Sequence, residues 1–142
     1  MVTDRTQVDV TYALAHPDSS TELKGAYNYT DLNRVESKVE ELATLLTAYN
    51  YLTQIITTKT NWTRTDFFNT SNASRYISNL KKIRNCYYVM PTTPTVPGTM
   101  QNFDYQRAND IEQFLVDVEL EIGGMVESFK YAGEVYAGED YL

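Results

Sequence analysis

The sequence holds one cysteine, Cys86, one histidine, His16, and one tryptophan, Trp62, among 142 residues. A single cysteine excludes an internal disulfide framework and a cysteine-rich zinc site. A single histidine, placed directly before Pro17, leaves no histidine-rich metal cluster and no partner set for a Ser-His-Asp arrangement. The glycines stand at 25, 98, 123, 124, 133 and 138 without GxGxxG or GxxxxGK spacing, so no phosphate-cradling loop is read. No apolar run approaches the ~20 residues of a membrane span. Met1 is followed by polar VTDRTQ and not by a basic and then apolar leader. A chain made and used soluble is therefore expected, unless it travels as part of a particle. Basic clusters are scarce too: Lys81, Lys82 and Arg84 form the one dense group in a chain of net charge −7, which argues against a nucleic-acid partner. Their position in the last turn of a predicted helix, at the negative end of its dipole, explains them without one. Cys86 sits where that dipole disfavours a thiolate, so it is not expected to act as a nucleophile. Asp117, Glu119 and Glu121 alternate and read as a solvated surface. No catalytic residue, metal ligand or cofactor site is expected.

What is present is helix. The length fits one domain with enough surface to bury a core. The longest periodic stretch runs from Thr30 to Ile56. Val35, Val39, Leu42, Leu46 and Tyr49 recur at steps of four and three, and Leu32, Leu45, Leu52 and Ile56 widen the stripe. Arg34, Glu36, Lys38, Glu40 and Glu41 are assigned to the opposite, solvated face, with Lys38 or Arg34 pairing with Glu41. Thr30 is the expected cap. A second helix is predicted over about 71–84, with Ala73, Tyr76, Ile77, Leu80 and Ile83 on one face and Thr70, Ser71 or Asn72 as its cap. A third is predicted over about 105–122, with Ala108, Ile111, Leu115, Val118 and Ile122 in the stripe and Asp104 as cap. Gly123-Gly124 is expected to end or kink it.

A short helix is predicted within residues 1–16, with Asp4 and Gln7 as a capping box and Val8, Tyr12 and Ala15 on one face. Residues 57–70 read as a polar loop from which Trp62 folds back over the helices. Pro91, Pro94 and Pro97 mark an extended strap across the bundle. The tail YAGEVYAGEDYL repeats Tyr-Ala-Gly-Glu and reads as an extended ribbon that packs on the bundle or on a neighbour. The expected fold is an all-α bundle of three main helices and a short N-terminal helix over residues 1–130, with an extended tail over 131–142. Four N-x-S/T matches, at Asn28, Asn61, Asn69 and Asn72, read as caps and turns.

The three main helices also look like copies of one unit. YNYTDLNRVESKVEEL from Tyr27, FNTSNASRYISNLKKI from Phe68 and FDYQRANDIEQFLVDV from Phe103 each open on an aromatic residue followed by Asn or Asp. Apolar residues then match: Val35, Tyr76 and Ile111; Val39, Leu80 and Leu115; Leu42, Ile83 and Val118. Arg34 and Arg75 match as well, and the third copy has Asp110. An aromatic staple, a cap and an amphipathic helix make a repeatable unit.

DRTQVDVTYA, LKGAYNYTDLNRVESKVEELA, KTNWTRTDFFNTSNASRYISNLKKIR, FDYQRANDIEQFLVDVE and YAGEVYAGE, in that order, resemble segments of phage and prophage structural proteins of Gram-positive bacteria. Those proteins are described as tail, baseplate or fibre-associated. The resemblance covers nearly the whole chain and brings no catalytic residues with it. It implies a virion component made in the host cytoplasm and bound to other virion or tail subunits, in several copies. Twelve tyrosines suit such contacts. Trp62, Tyr131, Tyr136 and Tyr141 are the expected contact residues. The alternative is a module that binds a host-surface glycan, with Trp62 and exposed tyrosines as stacking platforms.

Overall fold

In a computed structural model the helices begin alike. The structure describes residues 1–19 and 21–139, without the side chains of 129–139. Four α-helices carry it: α1 Gln7–Ala15, α2 Tyr29–Ala48, α3 Thr70–Cys86 and α4 Tyr105–Glu139, with no strand among the described residues. The Asn28 side chain accepts from the Thr30 N–H at 2.9 Å, and Asp31 reaches back to the Asn28 N–H at 2.9 Å, a closed capping box. Asn69 caps α3 through the Asn72 N–H at 2.8 Å. Asp104 accepts from the Arg107 N–H at 2.9 Å ahead of α4. Each cap lies next to the leading aromatic of its repeat. The cap of α2 thus falls two residues before Thr30 and that of α3 one to three before its candidates, because asparagine satisfies the free N–H groups of a first turn at least as well as threonine does.

Those leading aromatics meet. Tyr27 and Phe103 touch edge-on with centroids 4.9 Å apart, and Phe68 meets Trp62 at 5.5 Å and Tyr76 at 5.9 Å. The Tyr27 and Tyr76 hydroxyls share a hydrogen bond of 2.6 Å. The starts of α2, α3 and α4 therefore gather at one end, and the three helices run parallel. Pairs farther along agree: Arg34 with Glu112, then Lys38 with Glu119, between α2 and α4.

Parallel neighbours cannot be joined by tight turns, so the chain returns the length of the bundle twice without regular structure. Along residues 49–69, carbonyls of rising number meet α3 side chains of falling number. Ile55 accepts from Lys82 at 3.0 Å, and Thr57 accepts from Asn79 and Arg75 at 2.8 Å each. Trp62 then exchanges two backbone hydrogen bonds with the Asn33 amide, at 2.6 and 2.9 Å. Along residues 87–104, the carbonyls of Pro94 and Gly98 accept from Arg84 and Lys81 at 3.3 and 3.2 Å. Lys81, Lys82 and Arg84 thus hold both connections down, beyond any role at a helix dipole.

The matched positions of the repeat form the core. All nine residues from Val35 to Val118 named above are at most 2% exposed, as are Leu46, Phe114 and Ile122. Each contributes on the order of 1.5–3 kcal/mol by burial.

Three expectations change. First, α2 stops at Ala48 and not near 56. Asn50 takes a left-handed φ of 65°, and the Tyr51 and Leu52 N–H groups return to the Leu46 carbonyl at 2.9 and 3.2 Å, a cap that asparagine tolerates. Leu52 is buried all the same, in the turn. Second, α4 runs through Gly123-Gly124, which keep negative φ. Met125 is buried just beyond them and Val126 packs against the core, so burial outweighs the ~1 kcal/mol that each interior glycine costs. Third, the ribbon expected from residue 131 is helical as far as Glu139, with no break between 130 and 131. Extending a formed helix adds a hydrogen bond for each residue fixed.

α1 is capped by Thr6 with Asp9, not by Asp4 with Gln7, and buries no residue. It is seated by backbone contact. A Cβ on Gly25 would stand 2.1 Å from the Asp9 carbonyl oxygen, which only glycine avoids.

Candidate functional site

Two buried ionic centres lie near the helix-start end. In the first, Glu112 is fully buried on α4. Its Oε1 accepts from the Val2 N–H at 3.0 Å and Arg34 Nε at 2.7 Å. Its Oε2 accepts from Arg34 Nη2 at 3.1 Å and Arg5 Nη2 at 2.6 Å. Asp31 accepts from the same two arginines, so two cations face two anions. Burial pushes the Glu112 carboxyl up. The Arg34 hydrogen bond, the Val2 N–H and the Arg5 charge outweigh that and hold it below its usual range.

The second centre is Glu36, 1% exposed on α2. Its Oε1 accepts from Arg75 Nη1 and the Lys59 N–H, and its Oε2 from Arg75 Nη2 at 3.1 Å and Trp62 Nε1 at 2.5 Å. The placing of Glu36 on a solvated face is thus overturned. A 20-residue helix that carries a bundle partner on one side and a return strap on the other has little free face left. Lys38 does pair with Glu41, at 3.0 Å, but Arg34 reaches across to α4.

Glu36 and Glu112 stand at equal distance after Tyr27 and Phe103, as Arg34 and Arg75 do after Tyr27 and Phe68. The arginine of one repeat therefore grips the glutamate of another, α2 to α4 and α3 to α2. On the third side the same places hold Asp110 and Ile77. Each of the four carboxylate oxygens already accepts two donors, so these groups hold helices in register and are not placed to take a proton from a substrate.

A cleft of about 660 Å³ opens at the same end, lined by Tyr27, Tyr29, Leu32, Trp62, Phe68 and Phe103, with Arg64 and Asp66. Asp66 accepts from the Thr63 N–H at 2.8 Å and pairs with Lys59 at 3.4 Å. Arg64 forms no ion pair among the described residues. A second hollow, of about 780 Å³, lies between α3 and residues 98–101; its lysine, Lys81, is held by the Gly98 carbonyl.

Of the sequence-predicted contact residues, Trp62 is the one whose side chain is described. Trp62 folds back as expected, but into the core: it is 4% exposed, so its ring is no open stacking platform. Tyr131 and Tyr136 fall on the last turns of α4, where side chains are not described, and Tyr141 lies outside the described residues. His16 stacks on Tyr12 at 4.0 Å, with Nδ1 at 2.7 Å from the Tyr12 carbonyl. Cys86 donates to the Ile83 carbonyl at 3.2 Å, and burial pushes its thiol up. Among the described residues no three His, Cys, Asp or Glu side chains converge as for a metal ion, and no helix is long and apolar enough to cross a membrane.

Family models, curated proteins and solved structures were compared with the chain, and none matches it.

Proposed function

We propose that the chain is a non-enzymatic structural or adaptor protein of a bacteriophage or phage-tail-like particle, in its tail or baseplate, present in several copies. The ordered resemblance to phage structural segments supports this. So does one physical observation. The frame is fastened internally by saturated ion pairs, while Val8, Leu14, Ile55, Phe67 and Leu120 remain between 70% and 83% exposed. A stiff body with apolar side chains on its surface works by being held between neighbours, where such anchors supply most of the binding energy. The partners are other virion or tail subunits, with no nucleic acid and no membrane. A host-surface glycan module is the weaker reading, because the ring it needs as a platform, Trp62, is buried.

Mass spectrometry of particles purified from the producing host tests the proposal. The chain is expected at several copies per particle. A chain ending at Lys130 is expected to fold but to be missing from particles. Abundant soluble chain in cells whose purified particles contain none overturns the proposal.

A further inference from the structure

Parallel helices give this molecule two unlike ends. At the starting end is the aromatic cleft of about 660 Å³, within the ~300–1,000 Å³ range of ligand-sized sites. At the other end α4 runs on beyond the last residue of α2. At 1.5 Å per residue, its 35 residues span about 52 Å, against about 30 Å for the 20 residues of α2. Lys38 beside Glu119 sets the register and brings Ala48, the last residue of α2, level with about residue 129. Residues 130–139 therefore run past the last turn of α2.

The stripe of α4 does not stop there. Ile111, Leu115, Val118, Ile122 and Met125 are buried at steps of four and three. The sequence carries the same spacing on through Phe129, Ala132 and Tyr136. The apolar spacing of α4 thus continues in the sequence past the last residue of α2. The same segment is acidic, with Glu134, Glu139 and Asp140 against Lys130. The cleft at the opposite end is aromatic and has at its edge Arg64, an arginine without an ion pair among the described residues.

We propose that the C-terminal end of α4 of one copy docks in the helix-start cleft of the next, joining chains head to tail. Its apolar and tyrosine positions enter among Tyr29, Phe68 and Phe103, and its carboxylates pair with Arg64. Such an interface uses a different patch on each partner, so it repeats into a ring or a filament and does not close as a twofold dimer. This deepens the particle reading and rests on it for the biological setting, but not for its test.

Sedimentation of the purified full chain over a range of concentrations is expected to show species larger than a dimer, weakening as salt rises. Arg64→Glu and the chain ending at Lys130 are each expected to weaken association at least tenfold. Circular dichroism checks that each stays folded, and Tyr136→Glu replaces the truncation if that chain unfolds. The decisive step is to mix the two deficient chains. Each keeps one intact half, so a one-to-one complex is expected. A full chain that stays monomeric at every concentration, oligomers untouched by both changes, or a mixture that stays monomeric each overturns the proposal. Detection of the chain in particles while the purified protein remains monomeric would sink this inference and leave the particle reading standing.

Discussion

Replacing Glu36 with alanine tests how the first return strap is fastened. The change leaves Arg75 without its carboxylate, and leaves Trp62 Nε1 and the Lys59 N–H without an acceptor. Removing one partner of a buried pair costs about 3–5 kcal/mol. The Arg75 side chain is 23% exposed and regains some hydration, so the lower part of that range applies to the charge. Two neutral donors left unpaired add about 1–3 kcal/mol each, and water entering the vacated space returns part of that. The expected loss is about 4 kcal/mol, from a total of about 5–15. With a urea slope of about 2 kcal/mol per molar, the midpoint falls by roughly 2 M. Trp62 is the only tryptophan and touches the altered carboxylate, so its fluorescence reports the transition directly. Glu36→Gln keeps one acceptor oxygen and is expected to lose about half as much. A double-mutant cycle with Arg75→Met is expected to give a coupling above about 1.5 kcal/mol. A loss below about 1 kcal/mol for Glu36→Ala would refute the reasoning, because the strap would then be held by something other than this carboxylate.

Acid should act through Glu112. Its folded pKa lies below the ordinary 4.5, so its contribution is full above that value and is lost as pH falls through the folded pKa. Unfolding midpoints are expected to drop as pH falls below about 4.5, and Glu112→Gln, already weaker at neutral pH, should lose less over the same descent. Gly25→Ala places a methyl group 2.1 Å from a backbone oxygen of α1 and is expected to cost about 1–3 kcal/mol, with faster hydrogen exchange in residues 7–15; unchanged exchange would show that α1 is not seated there. Cys86, part-buried with its thiol pushed up, should react with an aromatic disulfide reagent several-fold more slowly in the native protein than in urea, and equal rates would contradict its placement.

The sequence made local matters legible and tertiary ones obscure. The repeat was readable because an aromatic residue, a capping side chain and a stripe are all encoded within one helix, and Val39, Leu80 and Leu115 do meet in one core. The direction of the helices was not readable, since periodicity has no arrow; the hint lay in connections of roughly twenty residues, far longer than antiparallel neighbours need. Glu36 looked solvated because polarity alone assigned its face. Its equivalence to Glu112, each nine residues after the leading aromatic of its repeat, is the sequence signal that sets it apart from that face. The glycine pair at 123–124 read as a breaker because propensity ignores Met125, whose burial carries the helix onward. An apolar ring in a polar loop predicts that Trp62 folds back, but the carboxylate that receives its N–H lies 26 residues away. For function, the cleft is assembled from all three repeats, and no single stretch displays it.

The parallel layout also sets the order in which the protein can be made. Arg34 and Glu112 are 78 residues apart in the chain. At about 5–20 residues per second, a ribosome needs roughly 4–16 s to deliver the second after the first. Throughout that interval Val35, Val39 and Leu42 have emerged while the α4 residues that cover them have not. Hairpin bundles can zip as they are synthesised, whereas this one must keep a sticky half-built intermediate from aggregating until its final helix arrives.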